Sequence, residues 1–192
     1  MSCRKTLNVV AGIAVALLAN GSVLAQSVPA ESETPLRMMK ALEVVAGRWE
    51  MTMEVADEAG ENWQQLPPEI VDISFRQKGL MLAEIPADLS SPAFHMETYI
   101  TYDQYREEYR KIAVDDVWGI MDIYDGHLEG DSIVFTNLRS GTTFPVAAGV
   151  WRNFRLTLKL ASPRRTFLVE KSDDGGASWQ PAFRATYVLM QG

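Results

Sequence analysis

Histidine and cysteine are almost missing from this chain: the only cysteine is Cys3, and the only histidines are His95 and His127. A disulfide framework and a thiolate metal site are therefore excluded. A metal centre needs several convergent ligands, so neither His95 nor His127 is read as one, and no metal is expected. With two histidines a Ser-His-Asp arrangement has few ways to assemble. No Gly-x-Ser-x-Gly elbow occurs either. Acidic residues are plentiful, but no spacing singles out a carboxylate pair, and the reading leans away from an enzyme. Positive charge is also scarce, with 18 Lys and Arg against 25 Asp and Glu and a net charge of −7. Such a chain repels phosphate backbones, and no Lys/Arg run offsets this, so nucleic acid is not an expected partner.

Long apolar runs are missing as well. The one candidate, Leu7 to Leu18, is shorter than the ~20 residues a membrane helix requires. It follows the basic pair Arg4 and Lys5 and precedes Val23-Leu24-Ala25, a small-x-small cleavage site. That layout is a secretory signal peptide over residues 1–25. An uncleaved anchor is the alternative, and a lipoprotein is disfavoured because Cys3 precedes the apolar run. Cleavage near Ala25 removes the only cysteine, which fits a bacterial periplasm or the outside of the cell. No membrane span is expected after cleavage. Residues 26–34 are small and polar and read as a flexible leader. Residues 35–192 then form one domain, with no internal repeat.

Thr34-Pro35 is a helix start signal, and Leu36, Met39, Leu42 and Val45 follow at helical spacing up to Gly47, which suits the residue after a helix end. Beyond Gly47 the period changes to two. Trp49, Met51, Met53 and Val55 alternate with Arg48, Glu50, Thr52 and Glu54, which is a half-buried strand. Further strands are expected at Val71–Phe75, Leu80–Ile85, Phe94–Tyr102, Tyr109–Val114, Trp118–Tyr124, Ile133–Leu138, Val150–Leu160, Thr166–Lys171 and Trp179–Met190. Turns are expected at Asp125-Gly126, Gly130-Asp131 and Ser162-Pro163-Arg164-Arg165. Short links and alternating faces favour a closed antiparallel up-and-down β-barrel of about eight to ten strands with one short N-terminal helix.

Two stretches carry a resemblance. Gly47-Arg48-Trp49, after a helix and before a period-two strand, matches the Gly-x-Trp of the first lipocalin strand. Ser172, Asp174, Gly175, Gly176 and Trp179 match the Ser-x-Asp-Gly-Gly-x-x-Trp of the last hairpin in a family of exported bacterial lipocalin-like proteins of unknown function. The resemblance implies a calycin-type barrel and no known substrate. In lipocalins the residue matching Trp49 packs across one end of the barrel. A nitrobindin-like heme barrel is expected to offer a histidine near its C-terminal strands, and none follows His127. No cofactor is implied.

The run Ser172 to Trp179 also resembles the Asp-box of glycan-active propellers. Propellers need four or more four-stranded blades, and a single box in a chain of this size reads instead as a hairpin turn. Asp122, Asp125, Glu129 and Asp131 read as a solvated hairpin tip, since the EF-hand spacing is absent. Fatty-acid-binding proteins typically hold a carboxylate with Arg-x-Tyr on the last strand. Here Arg184 and Tyr187 are three apart and point to opposite faces. Arg152 and Arg155 also differ in parity. One of them facing inward could bind an anionic head group, although both facing water is the plainer reading. The expected role is binding of a small, largely apolar molecule, with Trp118, Tyr124, Trp151, Phe154 and Tyr187 as candidate cavity or mouth residues. The alternative is an envelope accessory protein whose barrel is filled by side chains.

Overall fold

A computed structural model of the protein describes residues 33–90 and 94–191. The expected signal peptide and most of the leader lie outside the described residues. The chain forms helix α1 (Glu33–Lys40) and a short 3-10 turn at Glu43–Val45. Strands β1 (Gly47–Ala56), β2 (Trp63–Gln65), β3 (Glu69–Arg76), β4 (Met81–Pro86), β5 (Met96–Asp103) and β6 (Glu108–Asp115) follow. The second half contributes β7 (Met121–Glu129), β8 (Ser132–Thr136), β9 (Phe144–Ala147), β10 (Val150–Lys159), β11 (Arg164–Ser172) and β12 (Gln180–Leu189).

Ten strands close into an antiparallel ring. Each pairs with the next through β1, β3, β4, β5, β6, β7, β8, β10, β11 and β12, and β12 returns to β1. The short strands β2 and β9, which sequence patterning does not reveal, extend the sheet beside β1 and β10. Closure leaves the main ring without a free edge.

The period-two pattern decides which side chains enter the barrel. In β1, Trp49 and Met51 are buried while Arg48 and Glu50 are exposed. Across the ladder Met51 faces Tyr187, Met53 faces Ala185 and Val55 faces Phe183. The wall at this point is therefore one continuous apolar surface from two strands.

One end of the barrel is capped. Met39, Leu42 and Val45 are buried in the same core as Trp49. The Trp49 indole N–H donates to the Val45 carbonyl at 2.9 Å, and the Tyr109 hydroxyl donates to the Met38 carbonyl at 2.8 Å. The helix is shorter than its sequence signal. Ala41 and Leu42 donate to Met38 and Met39, so the chain tightens to three residues per turn after Lys40. That spacing puts Met39, Leu42 and Val45 on one side. Gly47 does not end the helix. With φ of +140° it opens β1, where a Cβ would lie 2.9 Å from Leu189 Cδ1.

The β6–β7 region also differs from expectation. The Asp115 carboxylate accepts backbone N–H groups of Val117, Trp118 and Ile120, which holds this segment in a loop and starts β7 at Met121. Asp125-Gly126 is no turn but lies inside β7. Gly126 sits beneath the Phe135 ring, where a Cβ would approach to 2.3 Å. Asp125 is held by Arg110 and Arg139 at 3.0 and 3.2 Å. Asp122 is likewise buried, so the acidic group is not a single solvated tip; Glu129 and Asp131 are exposed.

Candidate functional site

The barrel interior holds a cavity of about 330 Å³. Its wall is mostly apolar and includes Met51, Met53, Val71, Ile100, Leu156, Leu158, Phe167 and Val169. The far rim is formed by Val55, Phe94 and Met96, which are partly exposed to solvent. Trp49, Met39 and Leu42 close the opposite end. The volume lies at the lower end of the roughly 300–1,000 Å³ typical of small-molecule pockets.

Polar side chains enter this wall in a small group. Arg165 on β11 is 2% exposed and lies across the ladder from Tyr187 on β12. Its guanidinium stacks 3.7 Å from the centre of the Tyr187 ring and 5.2 Å from that of Trp49. Its Nη2 donates to Glu84 Oε2 at 3.2 Å, and the Tyr187 hydroxyl donates to Glu84 Oε1 at 2.9 Å. Both oxygens of Glu84 are thus occupied. Among the described residues Arg165 Nε has no acceptor.

Lys111 on β6 lines the same cavity and is 4% exposed. Burial away from water pushes its pKa down to about 8; the Arg165 charge acts in the same direction, while Glu84 and Asp122 oppose it. Desolvation also raises the Tyr187 phenol well above its ordinary range, with the Glu84 charge adding to the effect. Tyr124 is raised for the same reasons, here beside Asp122. The Asp122 carboxylate accepts from Thr142 Oγ1 at 2.5 Å, Asn137 Nδ2 at 3.3 Å and the Tyr124 hydroxyl. Glu69, near the rim, is held by His95 Nδ1 at 3.1 Å.

Of the residues singled out in the sequence, Tyr124 and Tyr187 line the cavity. Trp118 is 70% exposed and touches the rim residue Phe94, with ring centres 5.7 Å apart. Trp151 is exposed, and Phe154 packs edge-on against Phe144; neither lines the cavity. Arg152 pairs with Asp173 and Glu58, Arg155 with Glu170, and Arg184 with Glu54, so none of these three enters it. His127 is exposed beside Glu108. Among the described residues no group of three or more His, Cys, Asp or Glu converges as a metal site would require.

Sequence reasoning missed Glu84, Lys111 and Arg165. The signal for two of them was present: Lys111 sits at inward parity between Tyr109 and Ala113, and Arg165 at the parity of Phe167 and Val169. Reading Ser162-Pro163-Arg164-Arg165 as a turn hid the second, because β11 already begins at Arg164.

The Ser172–Trp179 run is the tip of the β11–β12 hairpin. Asp174 Oδ1 accepts from Ser172 Oγ at 2.7 Å and from the Ser178 backbone at 2.9 Å, and Oδ2 accepts from Ser178 Oγ at 2.6 Å. These bonds, with Ser178 the largest contributor, hold the Asp174 carboxyl far below its usual range. Gly175 and Gly176 take positive φ, and Trp179 lies under the Arg155 guanidinium at 4.8 Å.

Residues 34–188 match a family described as a protein of unknown function, DUF1579. The chain belongs to that family. DUF1579 thus covers the capping helix, the whole ring of strands and every polar group in the cavity. No curated protein matches this DUF1579 chain. Among solved structures, it is similar to the crystal structure of Rv2717c from M. tuberculosis at 15% identity, over 80% of this chain and 97% of that one, with a TM-score of 0.41.

Proposed function

We propose that this protein binds a small, largely apolar molecule inside its barrel, without covalent chemistry. The observation that carries the reading is the cavity of about 330 Å³, walled by methionine, leucine, valine and phenylalanine and rimmed by Val55, Phe94 and Met96. A barrel filled by its own side chains, as an accessory role without a ligand requires, leaves no such space. Capping by α1 at one end directs entry through the other. The basic, apolar and small-x-small segments at the N-terminus support action in the periplasm or outside the cell. Kinship with lipocalin-like proteins rests on Gly47-Arg48-Trp49 and the Ser172–Trp179 hairpin, and it agrees with this role.

The test is uptake of a neutral apolar fluorophore, phenylnaphthylamine, by the purified protein. Saturable binding at one site per chain is expected. The Ala113→Phe variant, which places a ring in the cavity, is expected to abolish it while keeping a cooperative melt. Absence of saturable uptake by the unmodified protein overturns the reading.

A further inference from the structure

Lys111 is the anomaly of the cavity. A buried amine is costly unless paired, and buried charges in native proteins are paired or bind ligands. Among the described residues no hydrogen-bond or ion-pair acceptor lies on Lys111, although three carboxylates belong to the interior or its rim. Each is engaged elsewhere. Glu84 on β4 is held by Arg165 and Tyr187. Asp122 on β7 is held by Thr142, Asn137 and Tyr124. Glu69 on β3 is held by His95. Glu108 faces the other side of β6 and pairs with Arg139 and Arg110.

Register places the amine within the binding space and not beside it. Lys111 pairs with Ile100 across β5–β6, and both line the cavity, as do Ala113 on its own strand and Tyr124 on the next. Arg165, from β11 on the opposite side of the ring, adds a second positive charge to the cavity while pairing with Glu84. The cavity therefore offers a donor with no internal acceptor, surrounded by apolar surface.

We infer that the ligand carries an acidic head group, a carboxylate on an apolar body, and that Lys111 receives it inside the barrel while the apolar part lies toward Val55, Phe94 and Met96. This rests on the binding role proposed above. A charge-assisted bond to a carboxylate in a water-poor site gives Lys111 the partner that the fold withholds. The charge near the head group then comes from Lys111 and Arg165 against Glu84, with Asp122 behind Tyr124. The phenols of Tyr124 and Tyr187 stay neutral at physiological pH.

The test compares decanoate, decanol and decylamine by calorimetric titration of the unmodified protein and of Lys111→Met. The unmodified protein is expected to bind decanoate at least tenfold more tightly than decanol, and decylamine most weakly. Lys111→Met is expected still to take up decanol and to lose the preference for decanoate. A second readout is pH: the preference should shrink as Lys111 loses its proton at alkaline pH, and decanol binding should not change. Equal binding of decanoate and decanol by the unmodified protein overturns the acidic head group and leaves the cavity role standing. A preference that survives Lys111→Met overturns the assignment to Lys111. Binding of none of the three overturns this inference together with the role beneath it.

Discussion

Arg165 and Tyr187 face each other across the β11–β12 ladder, with the guanidinium 3.7 Å from the centre of the phenol ring. Glu84 completes the arrangement by accepting from both of them. A planar cation stacked on one ring, leaning on a second in Trp49 and held by a carboxylate has few other conformations open to it. This ties β4, β11 and β12 together at the level where the apolar cavity ends. Arg165→Ala removes the stack and leaves Glu84 without its cation. It is expected to destabilise the fold by about 3 kcal/mol, read from the denaturant midpoint. Arg165→Lys keeps the charge but lacks the planar fork, so it should recover only part of that loss. A stability equal to the parent for Arg165→Ala would show that the stack is incidental.

Lys111 makes the opposite prediction. Its buried charge opposes folding, so Lys111→Met, of similar length and apolar, is expected to stabilise the empty protein by roughly 1 to 3 kcal/mol at neutral pH. The pH dependence has a defined sign. The folded value is about 8 against an ordinary 10.5. Between them the unfolded chain binds more protons than the folded one, so stability gains with rising pH over that window. The advantage of Lys111→Met should accordingly be full below about pH 8 and fade by about pH 10. Thermal melts of both proteins across that range check it. An advantage that does not change with pH would mean that Lys111 is not a buried cation.

The barrel was legible because its strands obey a strict period of two. Trp49, Met51 and Met53 against Arg48, Glu50 and Thr52 suffice to place β1 and its wet face. The helix end was less legible, since Met39, Leu42 and Val45 fit both 3.6 and 3.0 residues per turn, and only packing on the barrel end selects the second. The cavity's chemistry was legible in part. Aromatics such as Tyr124 and Tyr187 attract a pocket assignment, whereas Lys111 and Arg165 are charged residues that ordinary burial statistics assign to the surface. Their inward parity is visible in the sequence, but nothing local says that a charge has stayed at an inward position without a partner. Trp118 and Trp151 illustrate the converse: large aromatics placed outward by a loop and by strand parity.

Asp174 is expected to matter for the hairpin and not for ligand uptake. Three of its bonds, to Ser172 and twice to Ser178, fold the turn back on itself at the capped strands' far margin. Its carboxyl is held below the ordinary 3.8, so the stabilisation is present above that value and is lost as pH falls through the folded value. Asp174→Ala should therefore lower the melting temperature at neutral pH, and the difference from the parent should close in acid. Fluorophore uptake should be unchanged. Loss of uptake at an unchanged melting temperature would move this turn from scaffold to binding site.

Gly126 tests the packing of β7 on β8 directly. An Asp-Gly pair in sequence suggests a turn, yet here glycine is needed because Phe135 lies flat over the strand, with Cδ1, Cε1 and Cγ at 2.3, 2.8 and 2.9 Å from where a Cβ would stand. Phe135 is fully buried and cannot swing outward. Gly126→Ala is thus expected to destabilise by about 1 to 3 kcal/mol through overpacking, against the small gain that alanine usually brings to a strand. Phe135→Leu alone should also destabilise, by loss of buried ring surface. Together the two changes should be less harmful than their sum, because the smaller side chain makes room for the new methyl. A double-mutant cycle in denaturant reads this as a coupling of about 1 kcal/mol or more. Strict additivity would mean that the strand shifts to accept the methyl and that the contact with Phe135 does not fix the course of β7 through Asp125-Gly126.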